Sequence, residues 1–427
     1  MKWSRRALTA ASLLSLAALP VLAAEVTFTY GGQGHLSGYW IDQDELPTND
    51  INNFGFAGEG RVWGRANWVA DNGMEYGGRA QLRFQSSEAE FSNDFIRGAP
   101  DFVDEVWIYL QTAFGRLTLG LEDGAGDSAG IYSPTVSEVN RIDDARHYPV
   151  QDPTMPSFAA AFSPNGAHLR TDLNGSGDAF KIIYYSPRLI GIQISASYTP
   201  ELTRGLNDLF DGDGFDEQSD IWEVGLNYQG TLSGFDVGFY AGYVVGYNDR
   251  PSTVILPVFV APGVTVASTA FTPDDLEEWG TGAQIAYEGF KLGGSYRLTN
   301  IAGGAGLADK PMFGSISTGC SQIAGCVLPG KETEIWGAGI AYETGPWRFG
   351  AGYVTLEQEL PNTAASSSLT QDAQGWTGAI GYEFDENVQI VTGYQHYDYD
   401  GPAGVCIAAG CDKLDADLAY LQTSITF

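Results

Sequence analysis

The chain has 427 residues, with 22 Lys+Arg against 53 Asp+Glu for a formal charge of −31, and 55 Gly. That balance excludes a nucleic-acid partner, because phosphate binding needs a basic surface. A hydrophobic share of 44% with 18% charged residues is enough to fold, which sets aside wholesale disorder.

Residues 1–23 carry Lys2, Arg5 and Arg6, an apolar run from Ala7 to Leu19, and the small-residue ending Val21-Leu22-Ala23. These are the three regions of a secretory signal peptide, and the run is too short to span a bilayer. Cleavage is expected after Ala23 or Ala24, leaving residues 24–427 as one mature domain. No later stretch reaches the ~18 uninterrupted apolar residues of a membrane helix. In a membrane this chain must therefore be a closed β-barrel, the alternative that satisfies every backbone group in lipid.

Period-two alternation recurs along the whole mature chain. In Arg61 to Trp68, Arg61, Arg65 and Asn67 share one face while Val62, Ala66 and Trp68 share the other; Arg79, Gln81 and Arg83 likewise oppose Ala80, Leu82 and Phe84. Each strand thus has one polar and one apolar side. Seven short turn signals follow: Asp71-Asn72-Gly73, Ala113-Phe114-Gly115, Pro187 to Gly191, Gly230 to Gly234, Glu288-Gly289, Gly345-Pro346 and Asp385-Glu386-Asn387. Eight longer polar stretches alternate with them, near 42–53, 86–101, 122–178, 199–219, 246–276, 300–331, 357–371 and 397–413. Short and long connections in strict alternation predict an all-β fold, a 16-stranded antiparallel transmembrane barrel with both chain ends on the short-turn side.

Aromatic spacing fits that picture. Trp222 with Tyr228, Trp336 with Tyr342 and Trp376 with Tyr382 lie an even number of residues apart, as do Trp279 and Tyr287, so each pair shares a face. The Tyr of each pair precedes a short turn, where an interfacial girdle would lie. The last strand, Leu418 to Phe427, again alternates and ends on an aromatic.

Four cysteines fall as two close pairs, Cys320 with Cys326 and Cys406 with Cys411. In an exported chain this spacing predicts two small loop disulfides, with metal binding as the rival reading. Two acidic runs space oxygen ligands as calcium sites do: Asp211, Asp213 and Asp216 in one loop, and Asp172 to Asp178 in another. The second has Ile183 where an EF-hand loop needs its bidentate Glu, so a solvated acidic turn is the competing account.

With these features assembled, the sequence resembles the general diffusion porins of the sixteen-stranded type, particularly those of alphaproteobacteria. The signal peptide, the strand and loop count, Phe427 and the stretch Val106 to Gly120 carry the resemblance. It implies an outer-membrane channel for small hydrophilic solutes and ions, a lipid-embedded homotrimer that needs no cofactor. It further implies a third loop, here Glu122 to Asp178, folded into the barrel, with carboxylates Glu122, Asp123, Asp127, Glu138, Asp143 and Asp144 facing a basic cluster of Arg61, Arg65, Arg79, Arg83 and Arg116. Opposed charges across a narrow, wet constriction set up a transverse field that orients dipolar solutes. Arg141 and Arg146 interrupt the acidic character of the loop.

The acidic composition favours a weak cation preference, which arginines at the constriction would reverse. An enzyme needs a nucleophile with an oriented base, and the scattered His35, His147, His168 and His396 supply none. A substrate-selective channel, such as a sugar channel, is the nearer alternative, with Trp63, Trp107 and Tyr109 available for stacking.

Overall fold

The computed structural model describes residues 25–43, 53–85, 103–143, 169–201, 218–248, 254–261, 264–271, 275–300, 332–360, 369–400 and 413–427. The signal peptide, all four cysteines, Asp144 and the 211–216 run lie outside the described residues. The strands are β1 (Glu25–Gln43), β2 (Phe54–Val69), β3 (Glu75–Gln85), β4 (Val103–Thr112), β5 (Gly115–Leu121) and β6 (Phe180–Tyr185). Then come β7 (Ile192–Glu201), β8 (Gln218–Leu232), β9 (Phe235–Asn248), β10 (Val254–Ala261), β11 (Val264–Phe271) and β12 (Leu276–Tyr287). The remainder are β13 (Phe290–Thr299), β14 (Glu332–Thr344), β15 (Trp347–Leu360), β16 (Leu369–Glu383), β17 (Val388–Asp400) and β18 (Lys413–Thr426).

Sixteen of these close into an antiparallel barrel in chain order, with β9 pairing directly to β12. The two extra strands, β10 and β11, form a separate hairpin inside the predicted 246–276 loop. All seven predicted short turns are found between barrel strands. At Ser233-Gly234 and Glu288-Gly289 both central residues have positive φ (52° and 88°, 46° and 85°), the backbone that two-residue hairpins need and that glycine supplies at least cost.

The barrel closes where β1 meets β18, from Gln33 opposite Thr426 to Gln43 opposite Ala416. Phe427 and Gly32 exchange two backbone hydrogen bonds of 2.9 Å, so the terminal aromatic is sewn into the closing seam. A closed sheet leaves no edge to recruit another chain.

Outward faces are apolar and carry two aromatic belts. Toward the long loops, Trp222 packs on Tyr198, Trp279 on Tyr243, Trp336 on Tyr353 and Trp376 on Tyr394, with ring centroids 4.6, 4.1, 5.3 and 5.1 Å apart. Toward the short turns, Tyr287 meets Phe235, Tyr342 meets Phe290 and Tyr382 meets Trp347 at 4.7, 4.1 and 4.8 Å. Amphipathic rings at both rims are what an apolar slab bounded by water selects.

Candidate functional site

The third long loop starts after β5 and folds inward. Gly124 precedes a single helical turn, α1 (Ala125–Ser128), whose Ala125 N–H donates to Ser197 Oγ at 3.0 Å and whose Gly126 N–H donates to Glu223 Oε2 at 2.9 Å. Farther along, Tyr39 and Gln422 hold Asn140, through Tyr39 OH to Oδ1 at 2.7 Å and Asn140 Nδ2 to Gln422 Oε1 at 2.8 Å. The carbonyl of Asn140 accepts from Gln395 Nε2 at 2.8 Å. On the returning limb Thr171 Oγ1 lies 2.6 Å from Ser295 Oγ.

Apolar contacts fix the same path. Val136 enters a cluster with Ile41, Val391, Leu418 and Tyr420; Ile142 and Leu169 join Ile335, Val354 and Leu356; Leu173 joins Ile221, Val244 and Leu276. Leu173 is fully buried, and its socket exists because positions 242 and 280 are glycine: a Cβ there would come within 2.5 and 2.7 Å of its side chain. Burying each Leu, Ile or Val of the loop contributes about 1.5–3 kcal/mol. The loop is thereby fastened across strands from β7 round to β1.

Two polar devices that sequence reading missed complete the anchorage. Lys181, fully buried on β6, donates from Nζ to the carbonyls of Glu122 and Gly177, tying the two ends of the loop together. Arg297 and Glu278, both buried, pair beneath the returning limb, and Arg297 Nη1 reaches the carbonyl of Arg170 at 3.5 Å. The only sequence signal for either is a charge at an inward position of a strand.

Strands β2 to β5 carry the predicted arginines on the lumen face, and these divide into two groups. Arg61 and Arg83 share Glu59 and Asp104, with N···O distances of 2.6 to 3.7 Å. Below them, Arg79 lies 3.5 Å from Glu105 and over the Trp63 ring at 5.5 Å. Arg65 and Arg116 sit on aromatic rings instead. Arg65 is 5.1 Å from the Tyr109 centroid, and Arg116 is 4.7 Å from Trp107, 4.9 Å from Tyr109 and 5.7 Å from Tyr185.

The predicted carboxylates are not equivalent. Asp143 is buried and forked by Arg141 at 3.2 and 3.3 Å, and Glu138 is exposed. Asp127 accepts from Tyr132 OH at 2.7 Å; burial, then the charges of Asp123 and Asp172, push its carboxyl well above the usual range. Burial and the charge of Glu105 outweigh Arg116 and push Glu122 up to about 7. Burial works the other way against Arg170 at Asp172, where the charge and hydrogen bonds of that guanidinium hold the carboxyl below its usual value.

Asp172 is thus engaged by Arg170, and Ser176 Oγ donates to Glu223, so two oxygens of the proposed 172–178 calcium run face protein partners. His35 lies against Ser424 at 2.9 Å, and His396 between Asp417 and Asp398 at 2.7 and 3.1 Å. Many of the remaining carboxylates point elsewhere. Asp220, Glu277, Glu334 and Asp372 share the outward face of Trp222, Trp279, Trp336 and Trp376 on their own strands, nearer the long loops.

A closed antiparallel barrel with an apolar exterior, two aromatic belts and a charged lumen is the architecture of an outer-membrane diffusion channel. A family model described as Gram-negative porin matches residues 7–402; the chain belongs to that family, whose members are placed in the outer membrane of Gram-negative cells. No curated protein matches the chain in sequence. Among solved structures it is similar to an anion-selective porin from Comamonas acidovorans, at 12% identity over 94% of this chain and 100% of the other, TM-score 0.54. It is also similar to Salmonella typhi OmpF in complex with daunomycin, at 14% identity over 94% and 97%, TM-score 0.54. OmpT, an outer membrane protein of Vibrio cholerae, gives 12% identity over 96% and 100%, TM-score 0.53. At these identities the likeness is one of fold.

Proposed function

We propose that this outer-membrane channel passes small hydrophilic solutes and ions by passive diffusion, and that its narrowest part lies between the third loop and Arg61, Arg65, Arg79, Arg83 and Arg116. The observation that carries the reading is the one-sided anchorage of the loop. Its contacts run from β7 round to β1, while the arginines line β2, β3 and β5. The loop leaves the arginine wall at Glu122, beside Arg116, with Asp123 the next carboxylate along it, so charges of opposite sign border the gap and orient dipolar solutes. The rings available for sugar stacking, Trp63, Trp107 and Tyr109, are already covered by guanidiniums, which weighs against a sugar slide.

In this reading the chain is exported with its signal peptide removed, is embedded in outer-membrane lipid and works as a homotrimer. A trimer form is known for the similar Vibrio cholerae OmpT. The pairs Cys320–Cys326 and Cys406–Cys411 close small loop disulfides, and calcium binding is reserved for Asp211, Asp213 and Asp216. Reconstitution of the native oligomer in a planar bilayer is the test. Stepwise conductance in threes is expected, and a purified, folded protein that never conducts would overturn the reading.

A further inference from the structure

The short turns at the periplasmic end of the barrel differ in chemistry from one sector to the next. Those after β2, β12 and β16 are acidic, holding Asp71, Glu288 and Asp385-Glu386. The three consecutive turns between β4 and β9 are apolar instead, and their largest side chains stand in the open: Phe114 is 83% exposed, Leu189 68%, Ile190 96% and Leu232 66%. Ile190 is the outlier among them. Its φ is 52° and that of Gly191 is 84°, so both residues at the tip of the β6–β7 hairpin are left-handed. A β-branched residue is strained there, and Asn, Asp or Gly is the usual choice. The other described non-glycine residues with positive φ are Asp220, Ser233 and Glu288, all polar.

Such strain persists only where the surroundings over-determine the backbone, and here they do. Leu189 and Ile192 exchange backbone hydrogen bonds of 2.8 and 2.9 Å, Gln229 N–H donates to the Gly191 carbonyl at 2.9 Å, and Arg188 Nη1 donates to the same carbonyl at 2.8 Å. The hairpin is stiff and holds an aliphatic side chain at its tip. Leu189 lies opposite Ile192, and Leu232 opposite Phe235, a ring of the turn-side aromatic belt. The apolar turns therefore continue the lipid-facing surface past that belt, to the level of lipid headgroups. Arg188, itself exposed, is the one basic residue in the seven turns. Its Nη2 donates to Gln193 Oε1 at 3.2 Å, and its Nε enters none of these bonds. A guanidinium at headgroup level complements a phosphate, which the acidic turns elsewhere on the rim repel.

We propose that the β4–β5, β6–β7 and β8–β9 turns form a docking site for an anionic phospholipid of the periplasmic leaflet, with Arg188 at its phosphate and Leu189, Ile190 and Leu232 against its glycerol and upper acyl carbons. The site rests on the outer-membrane placement of the barrel and is independent of conduction. The strain at Ile190 keeps an aliphatic tip where a polar residue would fit the backbone better, and the barrel grips this leaflet on one sector of its rim.

The test titrates the native oligomer in detergent with dioleoyl phosphatidylglycerol, dioleoyl phosphatidylcholine and glycerol 3-phosphate, and reads the retained ligand by native mass spectrometry. Phosphatidylglycerol is expected to half-saturate at about tenfold lower concentration than phosphatidylcholine, and glycerol 3-phosphate, which has no chains, is not retained. Arg188→Gln removes the difference between the two lipids. Ile190→Asn is the sharper variant, because Asn accepts the left-handed backbone: the thermal midpoint without lipid rises while retention of both lipids falls about fivefold. Phe384→Asn, in the acidic β16–β17 turn half-way round the barrel, leaves retention unchanged. An unaltered β-sheet circular dichroism spectrum reports that each variant is folded. Folded Arg188→Gln and Ile190→Asn proteins that retain phosphatidylglycerol as the wild type does, or a Phe384→Asn protein impaired to the same degree as Ile190→Asn, overturn the site. Equal retention of the two lipids by the wild type overturns the anionic assignment, and retention of glycerol 3-phosphate replaces the lipid with a free anion.

Discussion

The two halves of the barrel's inner surface are built on different physics. From β2 to β5 the inward residues are Glu59, Arg61, Arg65, Arg79, Arg83, Glu105 and the rings that back them, a hydrated wall held by ion pairs and cation–π contacts. From β8 to β18 many inward residues are apolar, including Ile221, Val244, Leu276, Ile335, Val354, Leu356, Val391 and Leu418, because the third loop packs there and excludes water. The lumen is therefore a dry half carrying a plug and a wet half carrying charge. Polar-in, apolar-out alternation describes only the second.

The sharpest way to break this contrast is to wet the dry half. Leu173→Asp places a carboxylate in a fully buried apolar socket, at a cost of several kcal/mol unless the loop leaves. The returning limb is expected to detach, and single-channel conductance to rise by about twofold as the neck widens. The barrel should still resist detergent and heat, since its strand ladders are untouched. An unchanged conductance in a folded protein would show that the loop does not set the width.

A smaller effect is expected at the loop's two ends. Lys181→Met removes the donor shared by the carbonyls of Glu122 and Gly177, two partly buried acceptors, at a cost of about 1 kcal/mol each. The loop then fluctuates around its seat, which open-channel current noise should reveal with little change in mean conductance. Quiet traces from this variant would mean that the apolar sockets alone hold the loop.

This contrast also explains what the sequence made legible. Strand number, all seven turns and the seam at Phe427 are readable because turn chemistry and alternation are local signals. The lumen arginines are readable because their strands alternate cleanly on the wet side. The loop's seat is not readable: Leu173, Ile142 and Val136 match sockets on strands far away in sequence, and nothing near them announces those partners. Compensation is hidden for the same reason. Asp143 and Glu122 are alike as acidic loop residues, yet one is neutralised by Arg141 two positions earlier and the other sits among Glu105, Asp123, Arg79 and Arg116. The β10–β11 hairpin lies inside the long 246–276 connection, where Val254 to Ala261 is an apolar run with no local signal of its partner strand.

Glu122 gives the contrast a pH dependence. Its carboxyl, pushed up to about 7, is neutral below that pH and charged above it. Going from pH 8 to pH 6 therefore removes a negative charge beside Arg116 and Arg79, and the reversal potential under a salt gradient should move toward anions. Glu122→Gln should flatten the change over this window while leaving the acidic-pH selectivity in place. A wild-type selectivity that does not vary between pH 8 and pH 6 would place the titrating group elsewhere.

The smallest expected effect lies on the outer surface, which both halves share. Trp279 packs on Tyr243 at 4.1 Å, and Tyr243 OH and Trp279 Nε1 both donate to Glu277 Oε1, at 3.2 and 3.4 Å. The pair thus ties the aromatic belt to the carboxylates just beyond it. Removing the indole by Trp279→Ala loses an aromatic contact of about 0.5–1.5 kcal/mol beyond its buried area. Trp279→Phe should recover most of that but not the hydrogen bond. Because neither substitution touches the lumen, the midpoint of thermal unfolding in detergent should fall for Trp279→Ala while conductance stays fixed. A change in conductance on altering this ring would mean that the belt and the loop are mechanically coupled through the wall, and that the dry half senses the membrane outside it.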